Sequence, residues 1–441
     1  MSTQYLPQGS NASEIAADVE TAVRDGRLQP GAGLPPVRTL AAELRLSPAT
    51  VAAAYRDLRL KGIARGHRRA GTRITGSPPT APRPPVTVPA GARNLISGSP
   101  DPALLPPLPR LRRPAGAAIS PRLYADLPPV SARLAALAAD RLSADGIDPA
   151  NLTVVSGALD GVERILGAWL RPGDRVAVED PGYAPLLDLL AAMDFEREPV
   201  ALDESGARPD ALARAIEAGC RAVVLVPRAQ SPTGAAWTAA RAAQLATVLA
   251  AAPDLLVIED DHAAEVAGAP ALTVTAGRRR WAVVRSVSKS LGPDLRLAVL
   301  AGDAVTVARV EGRQALGAGW VSYLLQDTVA ALWQDATTGA LLERAAAAYA
   351  ERREGLIREL AAAGIPAAGQ SGMAVWVPVT DEVGVTSALL DHGWAVAPGE
   401  RFRTASPPGI RIGIGTLTAP EAAQLARDLA ASLRQRTRRS D

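Results

Sequence analysis

VVRSVSKSLGPDLRLAVLAG, residues 283–302, sets a lysine in a polar turn between two short apolar runs, WAVVRSV (281–287) and RLAVLAG (296–302). Runs this short and this rich in β-branched residues read as buried strands. A side chain just past a buried strand is where α/β sheets meet their ligands. The chain has 48 Lys and Arg residues, and Lys61 and Lys289 are the only lysines among them. Drift to arginine would be tolerated at a merely solvated position, so the survival of Lys289 points to a need for an amine. A lysine whose surroundings lower its pKa can form a Schiff base with an aldehyde.

Further strand-like runs lie upstream: RVAVED (175–180), AVVLVP (222–227) and LLVIED (255–260). Ala/Leu-rich helical stretches such as TAARAAQLATVLAAA (238–252) separate most of them. Strand-helix alternation predicts an α/β domain with a doubly wound, mainly parallel sheet that carries its ligand at the strands' carboxyl ends. A helical stretch over about 306–364 follows, and MAVWVPV (373–379) and GIRIGIG (409–415) predict a small C-terminal α/β lobe. The expected division is a large lobe over about 94–335 and a small lobe over about 336–441.

Pyridoxal chemistry needs more than an amine. It calls for a carboxylate on the pyridine nitrogen, a ring to stack on, and donors for a phosphate. Asp260 ends a strand and suits the first role, with Asp261 and His262 beside it. Tyr183, in EDPGYAP, offers an aromatic face. Ser156-Gly157-Ala158 precedes a helix whose first N–H groups can cradle an anion. Arg296, Ser286 and Ser288 are further phosphate candidates, and Arg411 can receive an effector or substrate carboxylate.

The N-terminal end reads differently. Residues 1–75 hold eleven basic and six acidic side chains, which leaves +5 there and −2 in the rest of a chain of net charge +3. A basic end is where nucleic acid binds. Asn11 and Glu14 form a capping box for a first helix that stops at Gly26. A second helix is expected over 37–44 and, after Ser47-Pro48, a third over 48–61. GIARGHRRAGTRITG (62–76) then reads as a two-stranded wing. In such a helix-turn-helix the second helix of the pair enters the major groove. Ser47, Ala49 and Thr50 are therefore the candidate readers, while Arg38, Arg68, Arg69 and Gly71 are placed for the backbone or minor groove.

Between the two domains, GSPPTAPRPPVTVPAGAR (76–93) holds six prolines and reads as a stiff linker. The start MSTQYLPQGSNASE carries no secretory pattern and no membrane span is expected, so the cytoplasm is the expected compartment. One cysteine and three histidines give no expectation of a metal site or disulfide.

GRLQPGAGLPPVRTLAAELRLSPATVAAAYRDLRLKGIARGHRRAGTRI resembles the GntR family of winged helix-turn-helix regulators. SGALDGVERIL, PGDRVAVEDPGY, PRAQSPTG, VIEDDH and SVSKSLGPDLRLA follow the order of fold-type I aminotransferases. Together they resemble the MocR subfamily, and within it the PtsJ-type regulators of vitamin B6 salvage. The resemblance implies pyridoxal 5'-phosphate held as an internal aldimine on Lys289, with Asp260 on the ring nitrogen, Tyr183 stacking and Arg296 on the phosphate. It also implies a homodimer in which Tyr124 reaches the partner's phosphate, and double-stranded operator DNA as partner. Ser231 stands where aminotransferases carry the Asn of their NPTG motif, and His262 where many relatives have tyrosine. Both departures favour a cofactor-sensing regulator of B6 or amine metabolism over a fast enzyme; the rival expectation is an active aminotransferase with a DNA-binding appendage.

Overall fold

A computed structural model describes residues 5–60, 63–67, 71–75, 88–108 and 128–440. The chain forms two compact units, and residues 1–85 belong to the first.

In the N-terminal unit, helices α1 (Ala12–Arg24), α2 (Val37–Leu44) and α3 (Pro48–Leu60) precede an antiparallel hairpin, β1 (Ala64–His67) and β2 (Gly71–Ile74). The Asn11 side chain accepts the Glu14 N–H, as a capping residue should, while the Glu14 carboxylate takes the N–H of Ser10 and the side-chain amide of Asn11. Gly26 has φ +73°, the left-handed geometry that stops a helix. Residues 31–34 add a third strand-like edge, with Leu34 N–H on Thr72 and Ile74 N–H on Ala32. Ile15, Val19, Leu40, Val51 and Leu58 fill the core. Each such side chain contributes about 1.5–3 kcal/mol by leaving water. Tyr55 is buried among them and satisfies its hydroxyl on the carbonyl of Pro35 at 2.8 Å, so helix α3 is pinned to the turn before α2.

The second unit opens with β3 (Arg93–Asn94), α4 (Ala132–Ala144), β4 (Leu152–Val155), α5 (Ala158–Trp169), β5 (Arg175–Asp180) and α6 (Ala184–Ala192). It continues through β6 (Glu196–Asp203), β7 (Gly206–Ala207), α7 (Pro209–Glu217), β8 (Ala222–Leu225), α8 (Ala239–Ala250), β9 (Leu256–Asp261), β10 (Trp281–Ser286) and β11 (Ala298–Gly302). The strand order is β4-β11-β10-β9-β8-β5-β6-β7. Neighbours from β5 through β8 and β9 to β10 run parallel, whereas β11 and β4 are antiparallel additions at one side. The turn around Lys289 is the reversal into β11, because the eleven residues between β10 and β11 are too few for a parallel crossover. Strands β8, β9 and β10 are buried along their whole length.

The helical stretch expected over about 306–364 is three helices, α9 (Ala304–Ala315), α10 (Tyr323–Gln334) and α11 (Ala336–Ala362). The chain closes with β12 (Ala374–Pro378), α12 (Glu382–Asp391), β13 (Trp394–Ala395), β14 (Ala397–Pro398), β15 (Gly409–Gly413) and α13 (Ala419–Ser440). Strands β12, β15 and β14 form the small lobe's antiparallel sheet. Residues 93–94, expected as the end of the linker and the start of the large lobe, instead pair with β13, and Gly413 N–H bonds Leu95. The chain thus enters through the small lobe, which carries Gly98 to the mouth of the main cavity.

Among the described residues no helix is long and apolar enough to cross a membrane.

Candidate cofactor site and DNA-reading face

A cavity of about 300 Å³ opens at the carboxyl ends of the parallel strands. The large lobe supplies Lys289 and Ser288 after β10, Asp260 and His262 at the end of β9, Tyr183 after β5 and Ser231 after β8. The small lobe supplies Arg411, Met373 and Phe402. Residues more than 300 positions apart in the sequence thus converge on one volume, as the doubly wound topology requires.

Lys289 reaches across it to donate to the carbonyl of Gly98. Burial, followed by the Arg411 cation, lowers its ammonium to about 8, so a useful fraction is neutral near pH 7. Asp260 is 4% exposed, and its Oδ1 has no hydrogen-bond partner. Burial, then the neighbouring charge of Asp261, raises its carboxyl to about 7. Such an orphaned acceptor is costly unless a ligand supplies a donor. His262 lies 3.9 Å from Asp260, and burial with the Lys289 cation drives its pKa down to about 4, so the ring is neutral. The rings of Tyr183 and His262 are nearly parallel, at an 8° angle with centroids 6.4 Å apart.

Arg296 sits in a left-handed conformation, φ +43°, and donates to Ser156 O at 3.0 Å. A Cβ on Gly157 would come within 2.7 Å of that guanidinium, so glycine is what lets Arg296 lie against the start of α5. No side chain caps this helix, and its first residues, Ala158 and Leu159, face the cavity. The expected Ser156-Gly157-Ala158 cradle needs adjustment: Ser156 gives its N–H to Asp160 at 2.8 Å, so the anion-facing N–H groups begin later. Ser286 and Ser288 are hydrogen-bonded to each other at 3.0 Å, and Ser288 and Ser286 both line the cavity. Arg411, 9% exposed, donates to Ile96 O and passes so close to Gly98 that a Cβ there would lie 2.6 Å from its Nη2. Tyr124 lies outside the described residues.

Several groups at the site were not anticipated. Gly98 accepts from Lys289, Ser371 accepts the Ala229 N–H at 2.6 Å, and Met373 and Phe402 line the small-lobe wall. Gly98 belongs to a segment read as part of the large lobe, and nothing local marks it. Arg228 and Arg285, by contrast, carried a signal: each is a charge inside or next to an otherwise apolar strand.

In the N-terminal unit, Arg38 is exposed in the first turn of α2, and Ser47, Pro48 and Ala49 are exposed at the start of α3. Ser47 caps that helix by accepting the Thr50 N–H at 3.1 Å, and its hydroxyl also meets that of Thr50 at 2.8 Å. The two hydroxyls thus steady each other at the start of the helix. Thr50 is half-buried, and Arg56 is a further exposed cation on the helix. Gly71 opens the second wing strand at φ +73°. Arg68 and Arg69 lie outside the described residues.

A winged helix-turn-helix joined to an aminotransferase-type α/β domain defines a class of DNA-binding regulators. The family description "Bacterial regulatory proteins, gntR family" matches residues 11–74, and "Aminotransferase class I and II" matches residues 123–429. Among curated proteins, the chain is 41% identical to the vitamin B6 salvage pathway transcriptional repressor PtsJ of Salmonella typhimurium, over 96% of this chain and 98% of that protein. It is 30% identical to the HTH-type transcriptional regulator TauR of Rhodobacter capsulatus, with 90% of each chain covered. Among solved structures, the multiple substrate aminotransferase from Thermococcus profundus superposes with a TM-score of 0.70 at 20% identity, covering 80% of this chain and 93% of that one. The chain belongs to the MocR-type regulators, DNA-binding transcription regulators built from a GntR reader and a class I/II aminotransferase domain.

That domain binds pyridoxal 5'-phosphate, and the residues present fit it. An orphaned carboxylate is available to a protonated ring nitrogen, an amine of lowered pKa to an aldehyde, and Arg296 with the start of α5 to a phosphate.

Proposed function

We propose that pyridoxal 5'-phosphate is the effector of this regulator. The observation that supports this best is the composition of the cavity wall. Lys289 and Asp260 come from the large lobe, Arg411 and Phe402 from the small lobe, so an occupant touches both. A ligand shifts a conformational equilibrium only through such differential contacts.

In this reading Lys289 captures the aldehyde, which supplies the covalent hold. Asp260 accepts from the ring nitrogen, while Tyr183 stacks on the ring. Ser231 and His262 face the phenolic oxygen; Arg296, Ser286, Ser288 and the α5 N–H groups from Ala158 onward hold the phosphate. Arg411 receives a carboxylate of a second effector. Arg38, Ser47, Ala49, Thr50 and the wing around Gly71 face DNA. The working assembly is a cytoplasmic homodimer on a promoter operator, and its targets are vitamin B6 or amine-metabolism genes, a reading supported by the likeness to a B6 salvage repressor.

The test is a gel-shift titration of the DNA upstream of its own gene, with and without the cofactor, for wild type and Lys289→Ala. A cofactor-dependent change in wild-type affinity that the variant loses is the expected result. Equal affinities in all four arms overturn it. The buried Arg411 also fits an amino-acid carboxylate, which favours residual transamination as a second reading. Conversion of the bound cofactor to its pyridoxamine form on adding amino acids would establish it.

A further inference from the structure

Behind Asp260, on the opposite face of the sheet, lies a chain of buried charges. Arg228, just after β8, holds Asp261 with two parallel contacts, Nε to Oδ1 and Nη2 to Oδ2, both at 2.8 Å. From β10, Arg285 donates to the same Oδ2 at 2.7 Å and reaches Asp145 at 2.7 Å with its other arm. The side chains of Arg228, Asp261 and Arg285 are 9%, 5% and 7% exposed. The remaining arm of Arg228 donates to Ala269 O at 3.1 Å.

Stability alone does not call for such a chain. Apolar residues of similar volume often serve as well or better at buried ion pairs. What the pair does add is geometry, since a planar guanidinium fork on a carboxylate fixes distance and angle together. The two segments it joins are the ones that carry the ring-facing groups. Arg228 begins the turn Ala229-Gln230-Ser231, and Asp261 stands between Asp260 and His262. Ala229 has φ +54°, a conformation that a non-glycine residue keeps only when its surroundings hold it. Ala229 also packs in one small apolar cluster with Ala263, the residue after His262, so a shift of either segment is felt by the other.

We infer that Arg228 and Arg285 are positioning residues that, through Asp261, set the spacing of Ser231, Asp260 and His262 around the pyridine ring. This rests on the proposed placement of the cofactor among those three side chains. The fork, rather than the charge, is the working part. Arg228→Lys, which keeps the cation and loses the bidentate geometry, should therefore be as harmful as Arg228→Gln.

The experiment uses the full chain loaded with pyridoxal 5'-phosphate. It compares wild type with Arg228→Lys, and with Arg285→Lys as the variant that attacks the same carboxylate from the other side should the first not fold. Arg241→Lys, which weakens the distant Arg241–Asp203 pair, is the control for stability alone. Three quantities are read: cofactor affinity, the pH midpoint of the bound cofactor's visible absorbance change, and the apoprotein's melting temperature. Groups that orient a ligand-holding side chain from behind typically change affinity about 10–100-fold when altered in metal sites. A loss of at least about tenfold, with a displaced spectral midpoint, is expected of the Arg228 or Arg285 variant and not of Arg241→Lys. A lowered melting temperature with wild-type affinity and midpoint overturns the inference and leaves the cofactor reading standing. A wild-type protein that takes up no cofactor overturns both.

Discussion

At the scale of single residues, the role proposed for Lys289 in the cavity gives a prediction through its protonation. Only the neutral amine attacks an aldehyde. With a pKa of about 8, roughly a tenth of the side chain is neutral at pH 7, against about one part in a few thousand for an ordinary lysine. The rate of cofactor capture by apoprotein should therefore rise about tenfold per pH unit below 8 and level off above it. Stopped-flow absorbance from pH 6 to 9.5 checks this. A rate still climbing at pH 9.5 would mean that burial and Arg411 do not depress the amine. Lys289→Arg should capture nothing at any pH, because a guanidinium stays protonated. Lysine's rarity alone singled out Lys289 in the sequence, and the folded chain places it in the cavity wall. Its acceptor Gly98 was not legible there, since only the folded entry of the chain through the small lobe brings residue 98 beside residue 289.

At the scale of elements, local chemistry translated well into structure. The Asn11–Glu14 cap, the Ser47-Pro48 start of α3 and the apolar runs of β5, β8, β9 and β10 all lie where their side chains predict, because each depends on neighbours within a few residues. The antiparallel insertion of β11 and the ion chain through Arg228, Asp261 and Arg285 depend on partners far along the sequence. Arg228 and Arg285 stand out in the sequence as charges beside apolar strands, but sequence position does not name their partners. Strand β5 also carries a titration worth testing. Glu179 is 2% exposed, accepts the Val226 N–H, and burial raises its carboxyl to about 8. A raised folded pKa means that the folded state keeps a proton that the unfolded chain releases above about 4.5. The stabilising contribution is full below that value and is lost as pH rises toward 8, at no more than about 1.4 kcal/mol per pH unit. Glu179→Gln removes this dependence. In urea unfolding of the apoprotein, the variant should gain on wild type steadily between pH 5 and 8. Parallel curves would show that the carboxyl titrates normally. Glu259, raised to about 8 by the same burial and held by Val274 N–H, adds a slope of the same sign, so the variant's curve flattens without becoming level.

At the scale of the whole molecule, the proposed function is a coupling between a pocket in one unit and a reading helix in another. If cofactor changes the affinity for operator by some factor, operator must change the affinity for cofactor by the same factor, because both close one thermodynamic cycle. This holds whatever structural route carries the coupling. The prediction is quantitative without a fitted parameter: the ratio of operator Kd values with and without saturating pyridoxal phosphate should equal the ratio of cofactor Kd values with and without saturating operator. Fluorescence anisotropy of labelled DNA gives the first ratio and visible absorbance titration the second, at one salt concentration, since phosphate contacts make every DNA affinity salt-dependent. In Lys289→Ala the DNA-side ratio should collapse to one while affinity for DNA without cofactor stays at the wild-type value, because the reader carries its own core around Tyr55 and Leu40. A variant that loses DNA binding outright would instead place Lys289 in the folding of the domain, and the effector role would then fall to another group in the cavity.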